Sequence, residues 1–256
     1  MTAHTRPYDF AADALFLDFD GTLVDLAPQP EDIVVPPDLI ALLQRLQQES
    51  DGALAIVSGR PLDQLDFFLA PLRLPAAGVH GAERRSADGR IVQQPVADVH
   101  HLRERLLPLL NAHPGLQLEI KRGALALHYR HAAHLEQRCV ETMMEALKHE
   151  PGFTMLNGKM VVEAKPHVNK GDAIAAFLHE APFRGRRPVF IGDDVTDEAG
   201  FAVAQSEAMN GLGIKVGGGP SQALLRVADP AAVSALLRQA LEVRSSGRRA
   251  QEEPAG

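Results

Sequence analysis

Residues 15–22 read Leu-Phe-Leu-Asp-Phe-Asp-Gly-Thr, an apolar run that stops abruptly at Asp18 and Asp20. Ala14 to Leu17 is typical of a buried strand, and side-chain alternation at a strand end sends both aspartates to the same side. Two carboxylates about 4 Å apart repel each other by roughly 4 kcal/mol at an effective dielectric constant near 20. The pair therefore needs a proton or a cation, and a divalent metal ion would meet that need.

The same stretch also fits a two-residue hairpin turn at Asp20-Gly21. The return strand would then span Thr22 to Leu26 and run straight into Pro28 and Pro30, which a paired strand tolerates badly. Taken alone, these residues do not decide between a turn and an active site. The rest of the chain must provide the context.

The composition is that of an ordinary globular protein of 256 residues, with a formal net charge of −7 and one cysteine. The acidic balance and the lack of a basic stripe argue against nucleic acid as a partner. One cysteine excludes an internal disulfide, and Met1 to Asp13 contains no apolar segment of signal-peptide length. No window approaches the roughly 18 apolar residues of a membrane span. We therefore expect a soluble, cytoplasmic protein with no membrane partner.

The pattern of buried strand, polar loop and helix recurs along the chain. Ala53 to Val57 is a short apolar run that ends in Ser58-Gly59-Arg60, and a helical pattern follows. Pro188 to Ile191 is another buried strand, and four acids fall within the six residues from Asp193 to Glu198. Such repeats indicate βαβ units in a doubly wound, Rossmann-like α/β fold with a parallel sheet, where ligands bind beyond the carboxyl ends of the strands.

Between these repeats the pattern changes, which predicts an inserted α+β domain. We expect helices over Val99–Asn111 and Ala133–Lys148, each followed by a hairpin whose strands alternate between apolar and polar residues. The two-residue turns would be Arg122-Gly123 and Asn157-Gly158. The expected domains are a discontinuous core of residues 1–95 and 166–256 and an insert of residues 96–165. Beyond the last helix, Arg244 to Gly256 is polar and expected to be disordered.

The register of the first hairpin follows from its turn. Lys121 would pair with Ala124, Glu119 with Ala126, and Gln117 with His128, all on one face. That face is polar, and the small alanines leave room on it for a ligand; Glu163 of the second hairpin is a further candidate member. The opposite face is apolar and is expected to point inward with Leu118, Ile120, Leu125 and Leu127. The second hairpin would likewise place on one side Phe153, Met155, Met160 and Val162.

The polar groups at the strand and helix ends together describe a phosphoryl-transfer site. Asp18, Asp20, Asp193 and Asp194 offer carboxylates, Ser58 a hydroxyl, and Lys170 an ammonium at the start of a helix. Hard oxygen ligands suit Mg²⁺, and the absence of a cysteine or histidine cluster disfavours zinc. An ionised aspartate can attack phosphorus and form an aspartyl-phosphate. A lysine at the positive end of a helix indicates a carboxylate partner.

These residues resemble the haloacid dehalogenase superfamily of phosphohydrolases, whose motifs run Asp-x-Asp-Gly-Thr, Ser/Thr, Lys and Gly-Asp-Asp-x-x-x-Asp. All four occur here in order. The resemblance implies Asp18 as nucleophile, Asp20 as general acid and then base, and Ser58 and Lys170 as phosphate ligands. It also implies a larger α+β cap domain at the insert. The implied metal site consists of Asp18, the Asp20 carbonyl and Asp193, supported by Asp194 and Asp197.

The finer pattern resembles the trehalose-6-phosphate phosphatase family, over roughly Ala14 to Leu241. The residues that carry this likeness are Gly78 to Glu83, Glu119-x-Lys121 with His128-Tyr129-Arg130, Val162 to Pro166, and Gly192-Asp193-Asp194-Val195-Thr196-Asp197-Glu198. The resemblance implies a stand-alone phosphatase that converts trehalose 6-phosphate to trehalose and phosphate. Glu119, Lys121 and Glu163 would hold sugar hydroxyls. The other implied substrate-binding residues are Thr22, Gly59, Arg60, His80 and His128.

Several alternatives remain open at this point. The protein could be a phosphatase for another sugar phosphate, such as sucrose phosphate or mannosyl-glycerate phosphate, a phosphomutase, a receiver-like phospho-acceptor that does not hydrolyse its phosphate, or a catalytically inactive regulatory subunit. Ser58-Gly59-Arg60 alone is a common turn, and Glu119 with Lys121 could be a surface ion pair. A metal site at His128, His131 and His134 is disfavoured. We expect a monomer or weak homo-oligomer.

Overall fold

The computed structural model of the protein describes residues 8–27, 32–93, 98–121, 124–150, 152–158, 160–166 and 168–252; the side chains of Lys121 and of residues 245–252 are outside this description. The chain divides into two compact units. The first unit falls within Met1–Gln93 and Asn169–Gly256, and the second within Gln94–Val168. Among the described residues, none of the helices combines the length and the apolar character that crossing a bilayer requires.

The first unit contains an eight-stranded sheet in the order β12-β11-β10-β1-β2-β3-β4-β5. Neighbouring strands run parallel from β12 to β3, and β4 and β5 are added antiparallel, so the predicted parallel-sheet core is confirmed. The short strand β12 was not predicted. The strands are β1 (Asp13–Leu17), β2 (Leu54–Val57), β3 (Ala76–Gly78), β4 (Glu83–Arg85), β5 (Ile91–Gln93), β10 (Arg187–Gly192), β11 (Leu212–Val216) and β12 (Leu225–Val227).

Helices cover both faces of this sheet, which confirms the predicted doubly wound arrangement. The alternation of β1 explains why: Leu15 and Leu17 join one apolar core with α1, α2 and α7, whereas Phe16 joins another with α5 and α6. Both cores consist of buried side chains, so each face of the sheet has its own apolar core. The helices are α1 (Leu39–Glu49), α2 (Leu62–Phe68), α5 (Lys170–Leu178), α6 (Glu198–Ala204) and α7 (Pro230–Glu252).

The second unit packs two helices on a four-stranded antiparallel sheet in the order β6-β7-β9-β8. The predicted register of its first hairpin is confirmed, since Glu119 lies opposite Ala126 and Gln117 opposite His128. The Arg122-Gly123 turn itself lies outside the described residues. The elements are α3 (His100–Ala112), β6 (Gln117–Lys121), β7 (Ala124–His128), α4 (Glu136–Leu147), β8 (Phe153–Gly158) and β9 (Val161–Pro166).

The second hairpin differs from the prediction. Asn157 and Gly158 do not form the turn but pair with Val162 and Val161, so β8 ends two residues later than predicted and β9 spans Val161–Pro166 instead of Lys159–Ala164. Met160 takes the left-handed conformation at the tip, with φ of 61°. Longer strands add ladder hydrogen bonds, which here outweigh the preference of Asn-Gly for a turn. The glycine is needed for space, because a Cβ at Gly158 would lie 2.7 Å from Val161 Cγ1.

Two other expectations in the second unit need correction. Ile120 was expected to point inward but is 56% exposed. Its strand β6 lies at the edge of the sheet, and helix α4 packs on β8 and β9 instead. Helix α4 begins at Glu136 rather than Ala133, because Arg130–Leu135 forms 3₁₀ turns that are interrupted by non-helical backbone at Ala132.

The expectation that the chain is disordered from Arg244 is also wrong over most of that segment. Helix α7 continues to Glu252, and residues 253–256 lie outside the described residues. The side chain of Arg244 donates from Nε to the Glu49 carboxylate at 2.8 Å, which holds this part of the helix against α1. The helix continues through Ser245-Ser246-Gly247, which have weak helix propensity, so neither polarity nor local propensity is a good guide to disorder here.

Candidate active site

Three loops of the first unit follow neighbouring parallel strands and so meet at the carboxyl ends of these strands. Asp18 follows β1, Ser58 follows β2 and Asp193 follows β10. Leu17 and Ile191 are in register, and the Asp18 amide donates to the Ile191 carbonyl at 2.9 Å. The turn interpretation of Asp20-Gly21 is thereby excluded as a strand hairpin, because β1 pairs with β10 and β2 rather than with a return strand.

The buried ammonium of Lys170 links two aspartates. Its Nζ donates to Asp18 Oδ1 at 2.7 Å and to Asp197 Oδ1 at 2.6 Å, and all three side chains are almost completely buried. Lys170 is the first residue of α5, whose N-cap Asn169 forms a capping box with Asp172. The predicted carboxylate partner of this lysine is therefore present, and there are two. The capped helix fixes the ammonium beside the predicted nucleophile.

Asp193 completes a cluster of three carboxylates with Asp18 and Asp197, in which one oxygen of each lies within 4.8 Å of the others. The Asp193 side chain lies directly on Gly21, where a Cβ would come within 2.2 Å of Asp193 Oδ2. Gly21 also has φ of +72°. A side chain at this position would be strained and would displace a carboxylate of the cluster, so glycine is required.

The cluster has more acid than the one ammonium can balance. Burial raises the pKa of the Asp18 carboxyl well above its ordinary value; Lys170 opposes this shift, and Asp197 adds to it. Burial also raises the pKa of Asp193, and this effect outweighs a hydrogen bond with Asp18 that lowers it. Burial lowers the pKa of the Lys170 ammonium, but its two carboxylate partners outweigh that effect and the net shift is upward. Without a further cation, Asp18 and Asp193 therefore retain a proton more readily than ordinary carboxyl groups.

The carboxylate of Asp20 turns away from this cluster and pairs with Arg60. The guanidinium donates from Nε to Oδ2 at 2.7 Å and from Nη2 to Oδ1 at 2.8 Å. Its third nitrogen, Nη1, donates to Gln64 Oε1 at 3.2 Å, and its Cζ lies 4.9 Å from the centre of the Phe68 ring. The structure thus pairs two predicted site residues, the acid–base aspartate and an arginine expected to bind substrate, with each other.

A strained turn holds the loop after β2. Val79 and His80 have φ of 50° and 55°, which is unusual for any residue and most of all for a β-branched one. Their amides donate to the Arg60 and Ser58 carbonyls at 3.0 and 2.9 Å. The His80 ring lies on Gly59, where a Cβ would come within 2.7 Å of its Cε1. Strain of this kind concentrates at functional sites, and here it supports the loop that carries Ser58.

The remaining predicted residues of the first unit are close to these loops. The Ser58 hydroxyl is buried and accepts from the Arg60 amide at 3.1 Å. The Thr22 hydroxyl is buried and has no hydrogen-bond partner among the residues that the structure describes. Asp194 is exposed and caps the short 3₁₀ turn Val195–Asp197, while Asp197 Oδ2 accepts from the Asp194 amide at 2.8 Å. Asp197 therefore stabilises both the acidic loop and the position of Lys170.

The second unit carries the predicted polar face. On this face Glu119 and Glu163 lie on opposite sides of Ala126, one on each neighbouring strand. The backbones of the two glutamates thus lie about 10 Å apart, two strand spacings, with a small residue between them. His128 Nε2 lies 2.9 Å from Glu119 Oε2. The backbone of Lys121 pairs with Ala124 as predicted, and its side chain lies outside the described residues.

Sequence reasoning missed Lys215. This lysine is 6% exposed, and its ammonium donates to the backbone carbonyls of Asp193 and Val216. A charged residue within the apolar run Gly213 to Val216 was the available signal, because a lysine is seldom fully buried without a partner. The contact of Asp193 with Gly21 was also missed, although both residues lie in the quoted motifs.

Comparisons with known proteins identify the family of this chain. Residues 16–231 match the family model for trehalose-phosphatase. The chain is 45% identical over 218 residues to the trehalose-6-phosphate phosphatase of Escherichia coli strain K12, which covers 84% of this chain and 81% of that protein. A crystal structure of a trehalose-6-phosphate phosphatase related protein is 30% identical, with a TM-score of 0.59 over 91% of this chain and 99% of the other.

The Aspergillus fumigatus trehalose-6-phosphate phosphatase is more distant, at 23% identity, but shares the fold with a TM-score of 0.75 over 91% of this chain and 94% of its own. The family match and the 45% identity confirm the resemblance that the motifs predicted. This chain belongs to the trehalose-phosphatase family.

Proposed function

We propose that this protein hydrolyses trehalose 6-phosphate to trehalose and inorganic phosphate, with Mg²⁺ and through an aspartyl-phosphate at Asp18. The observation that carries the proposal is the contact of the buried Asp18 carboxylate with Lys170 at 2.7 Å, at the edge of a parallel sheet where ligands bind. Membership of the trehalose-phosphatase family supports the substrate.

The acidic cluster fits a Mg²⁺ ion. Both Asp197 oxygens accept hydrogen bonds, from Lys170 and from the Asp194 amide, so Asp18 and Asp193 are the better metal ligands. The backbone carbonyl of Asp20 is proposed as a third ligand. Asp194 and Asp197 are proposed to support the metal site without binding the ion. When bound, Mg²⁺ would neutralise the carboxylates and the substrate phosphate, so that an anionic nucleophile can approach phosphorus.

The proposed chemistry has two steps. In the first, an Asp18 oxygen forms a bond to phosphorus while the bond from phosphorus to the sugar oxygen breaks, and Asp20 gives its proton to that oxygen. In the second, Asp20 takes a proton from water, whose oxygen attacks phosphorus and releases phosphate from Asp18. Ser58 and Lys170 are proposed to hold the phosphoryl oxygens throughout.

The sugar is proposed to bind to groups of the second unit, which we propose as the cap domain of residues 96–165. Glu119, Lys121, His128 and Glu163 supply acceptors and donors of the kind that recognise sugar hydroxyls, and the buried Ala126 lies between the two glutamates in the sheet register. Thr22, Gly59, Arg60 and His80 are proposed as substrate contacts in the first unit, on the basis of the family pattern.

The experiment is release of phosphate from trehalose 6-phosphate by the purified full chain, with Mg²⁺ and after removal of divalent cations by a chelator. We expect turnover that disappears with the chelator and returns when Mg²⁺ is added. Failure of Mg²⁺ to restore activity would contradict the proposed metal, and no turnover under any condition would contradict the proposed reaction.

A further inference from the structure

Lys215 is a buried cation beside the acidic cluster that the proposed reaction does not use. It lies in β11, in register with Gly192 at the end of the neighbouring strand β10, and it is 6% exposed. Its side chain therefore reaches the loop that starts at Asp193 from the flank of the sheet. Lys170 reaches the same cluster from the start of α5.

The partners of the two lysines differ in kind. Lys170 donates to carboxylates, whereas the Lys215 ammonium donates to two backbone carbonyls, those of Asp193 and Val216, the second at 2.7 Å. Among the described residues, the contacts of the Lys215 ammonium are with these two carbonyls, and none is an ion pair with a carboxylate. Removing an ammonium from water is costly, and backbone carbonyls compensate for that cost only in part. A neutral side chain would suit this apolar strand better.

The carbonyl that Lys215 holds belongs to a residue whose orientation matters. Asp193 is the first residue after β10, and its side chain lies against Gly21, beside Asp18. Fixing the carbonyl of a residue limits rotation of the backbone that carries its side chain. Lys215 and Gly21 therefore hold Asp193 from two sides, one through its backbone and the other by leaving space for its carboxylate.

We propose that Lys215 is a positioning residue, which holds the backbone of Asp193 so that its carboxylate faces Asp18 in the geometry that binds the cation. This inference rests on the proposed function, because it takes the cation to be Mg²⁺. Lys215 acts through Asp193 and does not touch the substrate. Losing it should therefore weaken cation binding and leave the affinity for the sugar phosphate unchanged.

The test measures Mg²⁺ binding by isothermal titration calorimetry on the full chain after treatment with a chelator. The variants are Lys215→Met, Lys215→Gln and Lys215→Arg, and the control is Lys148→Met, an exposed lysine that pairs with Glu145 in α4. We expect Lys215→Met to raise the Mg²⁺ dissociation constant by about 10- to 100-fold, as does loss of other groups that orient metal ligands. Lys215→Arg keeps a donor and should restore part of the affinity.

Two further readouts separate positioning from a general structural role. In chelator, thermal unfolding of Lys215→Met should occur at the same or a higher temperature than for the wild type, since an apolar side chain replaces a buried charge. At saturating Mg²⁺, its KM for the sugar phosphate should remain within about twofold of the wild type. A structural defect would instead lower the unfolding temperature and change both the dissociation constant for Mg²⁺ and the KM for the sugar phosphate.

A folded Lys215→Met with the wild-type dissociation constant for Mg²⁺ would overturn the inference. If Lys215→Met does not fold, Lys215→Gln decides in the same way, since wild-type Mg²⁺ affinity in that variant would also overturn it. A wild-type chain that binds no Mg²⁺ would contradict the proposed function as well, which distinguishes that failure from a failure of Lys215 alone.

Discussion

Arg60 holds both carboxylate oxygens of Asp20, with Nε 2.7 Å from Oδ2 and Nη2 2.8 Å from Oδ1. The pair is asymmetric in exposure: the Arg60 side chain is 9% exposed and that of Asp20 is 28% exposed. The guanidinium is fixed further by Gln64 and by the Phe68 ring. Because both oxygens accept from an arginine that is itself held in place, the proposed acid–base carboxylate has to leave Arg60 before it can carry a proton to the leaving oxygen.

The first prediction concerns the strength of this pair. Arg60→Met and Asp20→Asn should each lower the free energy of unfolding, and the double variant should lose less than the sum, with a coupling energy of about 1 kcal/mol or more. Urea unfolding of the four proteins measures it. Additive losses would show that the two side chains do not interact appreciably in solution.

The second prediction concerns the nucleophile. Asp18→Asn should remove turnover and any acid-stable phosphate label on the protein, because an amide cannot form the acyl phosphate. The matched control is Asp51→Asn, an exposed aspartate in a left-handed turn between α1 and β2 that asparagine also tolerates. Labelling with radioactive substrate followed by acid quench measures the intermediate. A phosphate label on Asp18→Asn would rule out Asp18 as the nucleophile.

The third prediction is a dependence of stability on pH. Burial raises the pKa of Asp18 above its ordinary value of 3.8. At pH values between 3.8 and the raised pKa, this carboxyl therefore carries a proton more often in the folded chain than in the unfolded chain. The free energy of unfolding of the metal-free protein should therefore fall as pH rises from about 4 through the raised pKa. Asp18→Asn should show a smaller fall, and added Mg²⁺ should stabilise the wild type more as pH rises, since the cation competes with the proton.

Urea unfolding at several pH values, in chelator and in Mg²⁺, provides the measurement for the third prediction. The comparison of the wild type with Asp18→Asn isolates the contribution of this carboxyl from that of other titrating groups. Equal slopes in the two metal-free proteins would mean that the pKa of Asp18 is not raised.

The fourth prediction separates sugar recognition from phosphoryl transfer. Glu119→Gln and Glu163→Gln should each lower kcat/KM for trehalose 6-phosphate by about tenfold or more, because a charged acceptor for a hydroxyl is lost. Both should leave hydrolysis of p-nitrophenyl phosphate nearly unchanged, since that substrate has no sugar. Glu141→Gln, on the exposed side of α4, is the control. A proportionate loss on both substrates would contradict sugar recognition by this face.

The active-site loops and the first hairpin could be predicted because short stretches of sequence determine them. Apolar runs that end in acids identified the loops of Asp18 and Asp193, and the Arg122-Gly123 turn gave the register of Glu119 with Ala126. The second hairpin was placed wrongly because the turn preference of Asn157-Gly158 is weaker than the pairing gained by longer strands.

The contacts between distant residues could not be read from one sequence. Arg60 and Asp20 are 40 positions apart, and nothing local indicates that the arginine binds the aspartate rather than a substrate. Lys215 reaches the Asp193 carbonyl from a neighbouring strand, 22 positions away. A buried lysine can be suspected from its apolar neighbours, but its acceptor depends on the strand order of the sheet.

Measurement of kcat/KM for a panel of sugar phosphates in saturating Mg²⁺ decides whether this protein is a phosphatase for trehalose 6-phosphate. The panel should contain trehalose 6-phosphate, sucrose 6-phosphate, glucose 6-phosphate and mannosyl-glycerate phosphate. We expect kcat/KM to be highest for trehalose 6-phosphate, by about 100-fold or more, because each unmatched hydroxyl leaves a polar group of the site unpaired. Equal values across the panel, or a higher value for another member, would contradict it.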